Sequence, residues 1–83
     1  MGQVTVHLWS GLRRLTDGAE TVEVEADTVG EMLDALSEAH PGVKPVLDAG
    51  VSVAVNGEIL NGGRHKAVSP EDEIFLMQRM KGG

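Results

Sequence analysis

The sequence predicts an α+β domain: a mixed sheet of four to five strands with one main helix packed on one face. Three observations carry this. Two early stretches alternate apolar and polar residues with the period of half-buried strands, Val4-Val6-Leu8 against Thr5-His7-Trp9, and Val22-Val24-Ala26 against Glu23-Glu25. One segment then switches period, with Val29, Met32, Leu33 and Leu36 at i, i+3, i+4 and i+7. After it the apolar runs are again short: Val51-Val53-Val55 before Asn56-Gly57, and Ile74 to Met77 near the end.

The elements follow in order. The first strand gives way at Ser10-Gly11 to Leu12-Arg13-Arg14-Leu15, and Asp17-Gly18 closes what reads as a wide turn before Thr21–Ala26. Thr28 stands three residues before Glu31, a capping box that starts a helix over about Val29 to Ala39. Gly30 in its first turn is a small propensity penalty, and His40-Pro41-Gly42 ends it. Val43 to Gly50 reads as a connection with one short helical turn around Val46 and Leu47. Asn56-Gly57 joins Val51–Val55 to Glu58-Ile59-Leu60 as a tight hairpin. Residues 61–65 read as loop, Ser69-Pro70-Glu71-Asp72 as a turn, and Glu73 to Met77 as the last strand. A single helix must bury its stripe on one sheet face, the α+β roll called β-grasp. The expected core is Val4, Val6, Val22, Val24, Leu33, Leu36, Val53, Ile74 and Leu76.

Composition narrows the function. The chain has 83 residues and no cysteine, which suits one small domain without a disulfide framework, thiolate nucleophile or Cys-based metal site. No apolar run reaches the roughly 18 residues of a membrane span. Met1-Gly2-Gln3 leads straight into a strand, so no secretory signal peptide is expected. A myristoylation reading of Gly2 fails at Val6. The expected location is cytoplasmic. Formal net charge is −6, and the eight acids between Asp17 and Glu38 are interrupted by no Lys or Arg. Such a surface does not suit phosphate neutralisation, so no nucleic-acid partner is expected. The acidic block is either a solvated face or a docking surface for a basic partner. Four of the seven basic residues, Arg64, Lys66, Arg79 and Lys81, lie toward the C-terminus.

No self-contained active site is legible. His7, His40 and His65 lack ligand spacing. Ser10, Ser37, Ser52 and Ser69 have no nucleophile context. Gly62-Gly63-Arg64 is too short for a phosphate-cradling loop, and Glu71-Asp72-Glu73 reads as a solvated turn. Two features stand out instead. Ile74 and Leu76 point to one face of the last strand, Phe75 and Met77 to the other. Either Phe75 and Met77 form an exposed partner-binding patch, joined by Trp9 or His7, or one of them tucks under the loop at residues 61–66. The chain also ends in Lys81-Gly82-Gly83. A side-chain-free end is either a frayed terminus or a slim tail that presents its α-carboxylate to another protein's active site. Adenylation would make that carboxylate reactive, and a Cβ there would hinder close approach to a nucleotide.

Taken together, the chain resembles the sulfur-carrier proteins of the ubiquitin-like β-grasp superfamily, most closely the small subunit of molybdopterin synthase. The resemblance rests on Val4 to Gly18 with its Leu12-Arg13-Arg14-Leu15 turn, the capped helix Thr28 to Leu36, Val53-Ala54-Val55-Asn56-Gly57, the turn Ser69 to Ile74, and Gly82-Gly83. It implies a β-grasp domain over residues 1–80 and a flexible tail over 81–83. It further implies adenylation and thiocarboxylation at Gly83, with Gly82 as tail spacer, and partner binding through Phe75, Met77, Arg79, Met80 and Lys81. The implied chain is a carrier, not an enzyme, and binds no cofactor or metal of its own. ATP and Mg²⁺ are used by an adenylating, ubiquitin-activating-like partner. The other implied partners are a sulfur donor and a sulfur-accepting synthase such as the molybdopterin synthase large subunit. Gln78-Arg79-Met80-Lys81 departs from the proline and small residues common before the Gly-Gly of molybdopterin-type carriers, and is similar to ubiquitin's alternating basic and apolar tail. The pathway therefore stays open among molybdenum-cofactor, thiamine, cysteine and other thio-metabolite synthesis, and protein tagging through an isopeptide bond at Gly83.

Overall fold

The computed structural model describes residues 2–60 and 64–78. In chain order these form β1 (Gly2–His7), α1 (Ser10–Arg13), β2 (Thr21–Ala26), α2 (Val29–Ala39), a 3-10 turn (Pro41–Val43), α3 (Lys44–Ala49), β3 (Val51–Val55), β4 (Glu58–Leu60) and β5 (Ile74–Gln78). The strands make one sheet in the order β2-β1-β5-β3-β4. β5 runs parallel to β1, with Val6 opposite Ile74, and antiparallel to β3, with Val53 opposite Leu76. The fold is the ubiquitin-like β-grasp, five strands with α2 packed on one face.

The registers place Val4, Val6, Val24, Ala26, Val53, Val55, Ile74 and Leu76 on the helix side, where all are buried. Val29, Met32 and Leu36 of α2 complete that core, and Met32 and Leu36 are fully enclosed. Val22 and Leu33, expected in the core, instead flank it half-buried. Val22 sits on an edge strand. Leu33 lies off the centre of the helical stripe and lines a cleft facing α3.

Leu12, Val43 and Val68 are buried although Leu12 lies in the segment read as a turn, Val43 in the one read as a connection, and Val68 between the loop and the turn that follows it. Geometry requires them. Five strands at about 4.8 Å spacing spread over roughly 19 Å, whereas one helix is about 10 Å across. α2 alone cannot cover the sheet, so the connections supply the remaining apolar lid. The wide turn accordingly contains the helical turn α1, and the single turn near Val46 extends into α3.

The capping box forms in part. Glu31 N donates to Thr28 Oγ1 at 3.2 Å, but the Glu31 carboxylate accepts from Asp27 N at 2.9 Å, one residue earlier than in the standard box. The two preceding amides find partners in a distant loop: Val29 N donates to Lys66 O and Gly30 N to Arg64 O, both at 2.9 Å. With Met32 N donating to Thr28 O, each of the four first-turn amides is satisfied. Gly30 is small for a reason the propensity penalty hides. The Arg64 guanidinium crosses it, so that a Cβ would lie 3.1 Å from Nε, and Nη2 reaches Asp34 at 3.2 Å.

At the β3–β4 hairpin, Asn56 and Gly57 both take positive φ, +53° and +86°, the tight turn that disfavours residues with a bulky side chain. Asn56 also bridges to the turn before β5. Its Nδ2 donates to Asp72 Oδ1 at 3.0 Å, and its Oδ1 accepts from Glu73 N at 2.9 Å. Asp72 Oδ2 accepts in turn from Ser69 N at 2.9 Å. These bonds, the one from Asn56 first, hold the Asp72 carboxyl below its ordinary value.

Two outcomes follow from this packing. Leu36→Ala should cost roughly 2–5 kcal/mol in denaturant unfolding, as expected for a fully enclosed leucine. Asp72 binds its proton less readily folded than unfolded, so its contribution is present above the ordinary carboxylate range and disappears as pH falls through the folded value. Unfolding measured across acidic pH should therefore show a shallower loss of stability for Asp72→Asn than for the parent. Identical acid slopes would remove Asp72 from that balance.

Candidate functional site

The sheet face opposite α2 is built by the same alternation that makes the core. Phe75 and Met77 of β5 face away from the helix because Ile74 and Leu76 face it. Their cross-strand partners follow from the registers: His7 beside Phe75 on β1, Ala54 beside Phe75 and Ser52 beside Met77 on β3, and Ile59 beside Ala54 on β4. Thr21 of β2 pairs with His7 on the far side. A row Thr21, His7, Phe75, Ala54, Ile59 thus crosses all five strands.

The His7 imidazole and the Phe75 ring stack with centroids 4.3 Å apart and planes 18° apart. Phe75 remains 39% exposed and Ile59 58% exposed, while Ala54 between them is only 7% exposed. Ala54 lies outside the helix-side core, so its neighbours on the outer face are what cover it. The result is an apolar band on the half of the face from which β5 leaves the sheet. The other half is polar and acidic, with Glu23 opposite Thr5 and Glu25 opposite Gln3.

Phe75 and Met77 are therefore brought together on one accessible face, Met77 being half-buried. The alternative of burial under the loop does not hold for Phe75, since Arg64 and Lys66 bond to the start of α2 on the opposite side of the sheet. Trp9 does not join the band. It packs half-buried against the core, and a Cβ on Gly11 would come within 2.7 Å of its Nε1. Arg79, Met80, Lys81, Gly82 and Gly83 lie outside the described residues. Ala54 and Ile59 went unnoticed in the sequence, although a two-residue Asn56-Gly57 turn already implies their pairing.

Elsewhere a cleft of about 460 Å³ opens between α2 and α3, lined by Leu33, Ser37 and Leu47 with mixed charges. Its cations are engaged by carboxylates, Arg64 with Asp34 at 3.2 Å and Lys44 with Asp48 at 3.3 Å. Among the described residues no cluster of His, Asp and Glu could hold a metal ion, and no helix is long and apolar enough to cross a membrane. Among the described residues, the outer sheet face is where exposed large apolar side chains gather, Phe75 and Ile59.

Comparison with known proteins identifies the family. The chain belongs to the ThiS family, the ubiquitin-like sulfur carriers, whose pattern matches residues 6–83. It is similar to small archaeal modifier protein 1 (SAMP1) of Haloferax volcanii, with 35% identity and a TM-score of 0.75, covering 99% of this chain and 100% of that one. It is also similar to a chain of the Amycolatopsis orientalis BexX/CysO complex, with 30% identity and a TM-score of 0.79, covering 96% and 99%. A chain in the complex of subunits 1 and 2 of the Helicobacter pylori molybdopterin-converting factor shares the fold at 21% identity and a TM-score of 0.68, covering 98% and 99%. No curated protein matches the chain.

Because Phe75 lies on the face that does not carry the core, Phe75→Asp should leave the circular-dichroism spectrum of the fold intact. The same variant should weaken association with an activating enzyme or synthase, read by titration calorimetry. Unfolding of the variant would reassign Phe75 to a structural role.

Proposed function

We propose that this chain carries sulfur on its C-terminal glycine. The Gly83 carboxylate attacks the α-phosphorus of ATP on a partner enzyme, with Mg²⁺ held by that partner. Pyrophosphate leaves, and the acyl-adenylate forms. A sulfur donor then displaces AMP at the acyl carbon to leave a thiocarboxylate, which delivers its sulfur in molybdopterin synthesis. The chain acts as a co-substrate of its partners, in the cytoplasm. The observation that carries this reading is the family match, which runs to residue 83 and so includes Gly82 and Gly83.

The outer face supports the same reading. Phe75 and Met77 sit on β5, and Gly83 is only the fifth residue after Gln78. Five extended residues span at most roughly 17 Å. A partner that docks on the apolar band would receive the carboxylate within that radius, and Gly82 would let the backbone pass where a Cβ would obstruct it. Arg79, Met80 and Lys81 add charge and apolar contact along the path. The adenylating enzyme and the sulfur-accepting synthase large subunit would use this face in turn, since each must reach the same carboxylate.

A second reading is favoured by a specific observation. The 35% identical relative is named a modifier protein, which suits transfer of the activated Gly83 to a lysine amine as an isopeptide. The 30% identical match to the BexX/CysO complex likewise keeps acceptors other than molybdopterin in view, thiamine and cysteine synthesis among them. Intact mass separates these outcomes, because thiocarboxylation exchanges oxygen for sulfur on the free chain whereas tagging yields larger covalent adducts.

Deleting Gly83, or adding one residue after it, should leave unfolding free energy nearly unchanged and abolish ATP–pyrophosphate exchange by the cognate activating enzyme. Gly82→Ala should slow exchange without unfolding the domain. Equal exchange by the full-length and Gly83-deleted chains would remove the carboxylate from the mechanism.

A further inference from the structure

The Asn56-Gly57 turn combines a reactive dipeptide with an unusual degree of restraint. In an Asn-Gly pair the glycine nitrogen can attack the asparagine Cγ, because no side chain on the glycine obstructs the approach. The new N–Cγ bond closes a succinimide, the Cγ–Nδ2 bond breaks and ammonia leaves. Water then opens the ring to aspartate or isoaspartate. One water enters and one ammonia departs, with no oxidant or cofactor required. Asn56 and Gly57 are exposed, and nothing lies within 4 Å of the position a Gly57 Cβ would occupy. The pair is therefore open to solvent and to hydrolysis.

The Asn56 amide, however, is held at both ends. Nδ2 donates to Asp72 Oδ1 at 3.0 Å, Oδ1 accepts from Glu73 N at 2.9 Å, and the Asn56 backbone donates to Glu73 O at 2.8 Å. Asp72 is itself fixed by Ser69 N through its second oxygen. Both side-chain bonds restrain the rotation of the amide that would bring Cγ onto the Gly57 nitrogen. We propose that Asn56 is a site of spontaneous deamidation whose rate is gated by the Asp72 bridge. Conversion also carries a structural consequence. The product places a carboxylate where Nδ2 had donated, directly against the Asp72 carboxylate, so attraction becomes like-charge repulsion. Isoaspartate further lengthens the backbone inside a turn already at φ +53° and +86°. The hairpin that carries Ala54 and Ile59 would then lose its side-chain bond to Asp72, leaving its contacts with Glu73 as the tie to the turn leading into β5.

The chain supplies its own control. Its two asparagines, Asn56 and Asn61, are both followed by glycine. The full-length chain is incubated in mildly alkaline buffer, and peptide mapping by mass spectrometry reads conversion at each site separately. A synthetic peptide covering residues 53–58 reports the unrestrained rate. Asn56 is expected to convert several-fold more slowly in the folded chain than in the peptide. Asp72→Ala should raise the Asn56 rate several-fold while leaving Asn61 unchanged. Asp72→Asn, which keeps an acceptor oxygen, should fall between. The proposal is overturned if Asn56 converts equally fast in chain and peptide, or if all three chains share one rate. A rise shared equally by Asn61 would overturn it too, because the variant would then act through general opening. A slower rate in Asp72→Ala would also overturn it, showing that the carboxylate assists the reaction instead of restraining it.

Discussion

The last strand in sequence is the middle strand in space, and the architecture depends on that insertion. β5 lies between β1 and β3, parallel to one and antiparallel to the other. Its backbone bonds on both edges therefore join two antiparallel hairpins that would otherwise be separate, marginal ribbons. Its register also settles both faces at once. Setting Ile74 beside Val6 and Val55 directs Ile74 and Leu76 into the core and obliges Phe75 and Met77 to face outward. A slip of one residue would bury Phe75 and expose Ile74 and Leu76. The buried helix side makes that slip costly, so the outer band inherits its definition from the core.

The same insertion relates the band to the tail. A strand central in the sheet brings its C-terminal end out between neighbours, and the exposed apolar residues are its own. Under the proposed function, a partner that recognised Phe75, His7, Ala54 and Ile59 would be positioned with respect to the residues that follow Gln78. Affinity can come from the band while Gly82 and Gly83 remain free of side chains. This separation suits a carried substrate, because the chemistry requires access and the docking requires area.

Two polar devices hold the connections that make β5 reachable. The backbone carbonyls of Arg64 and Lys66 terminate the open end of α2, and the Asn56–Asp72–Ser69 chain of hydrogen bonds ties the β3–β4 hairpin to the turn before β5. Both lie between sequence segments more than a dozen residues apart. The exposed ion pairs contribute little by comparison, as surface pairs usually do. Arg64 with Asp34 is more informative for what it explains, namely why Gly30 stands in the first turn of a helix.

Periodicity alone determined the strands, the helix and the sign of each face, because a half-buried element must repeat its apolar residues every 2.0 or 3.6 positions. Capping and turn chemistry marked Thr28-Glu31 as a helix start and Asn56-Gly57 as a hairpin, and alternation set Phe75 and Met77 on the face opposite Ile74 and Leu76, leaving open whether that face is exposed or covered by the loop. The final glycines were legible as a chemical feature and through resemblance. Only the tertiary structure decided which strands neighbour one another, and with that the composition of the band: Ala54 and Ile59 meet Phe75 through sheet order, a property no single segment contains. It likewise decided that Leu12, Val43 and Val68 are core, since connections acquire apolar duty only when one helix proves too narrow for five strands. Glu31 capping Asp27, Arg64 resting on Gly30 and Asn56 bridging to Asp72 belong to the same category. Each joins groups whose approach depends on the assembled fold, and local pattern carries no information about such distances.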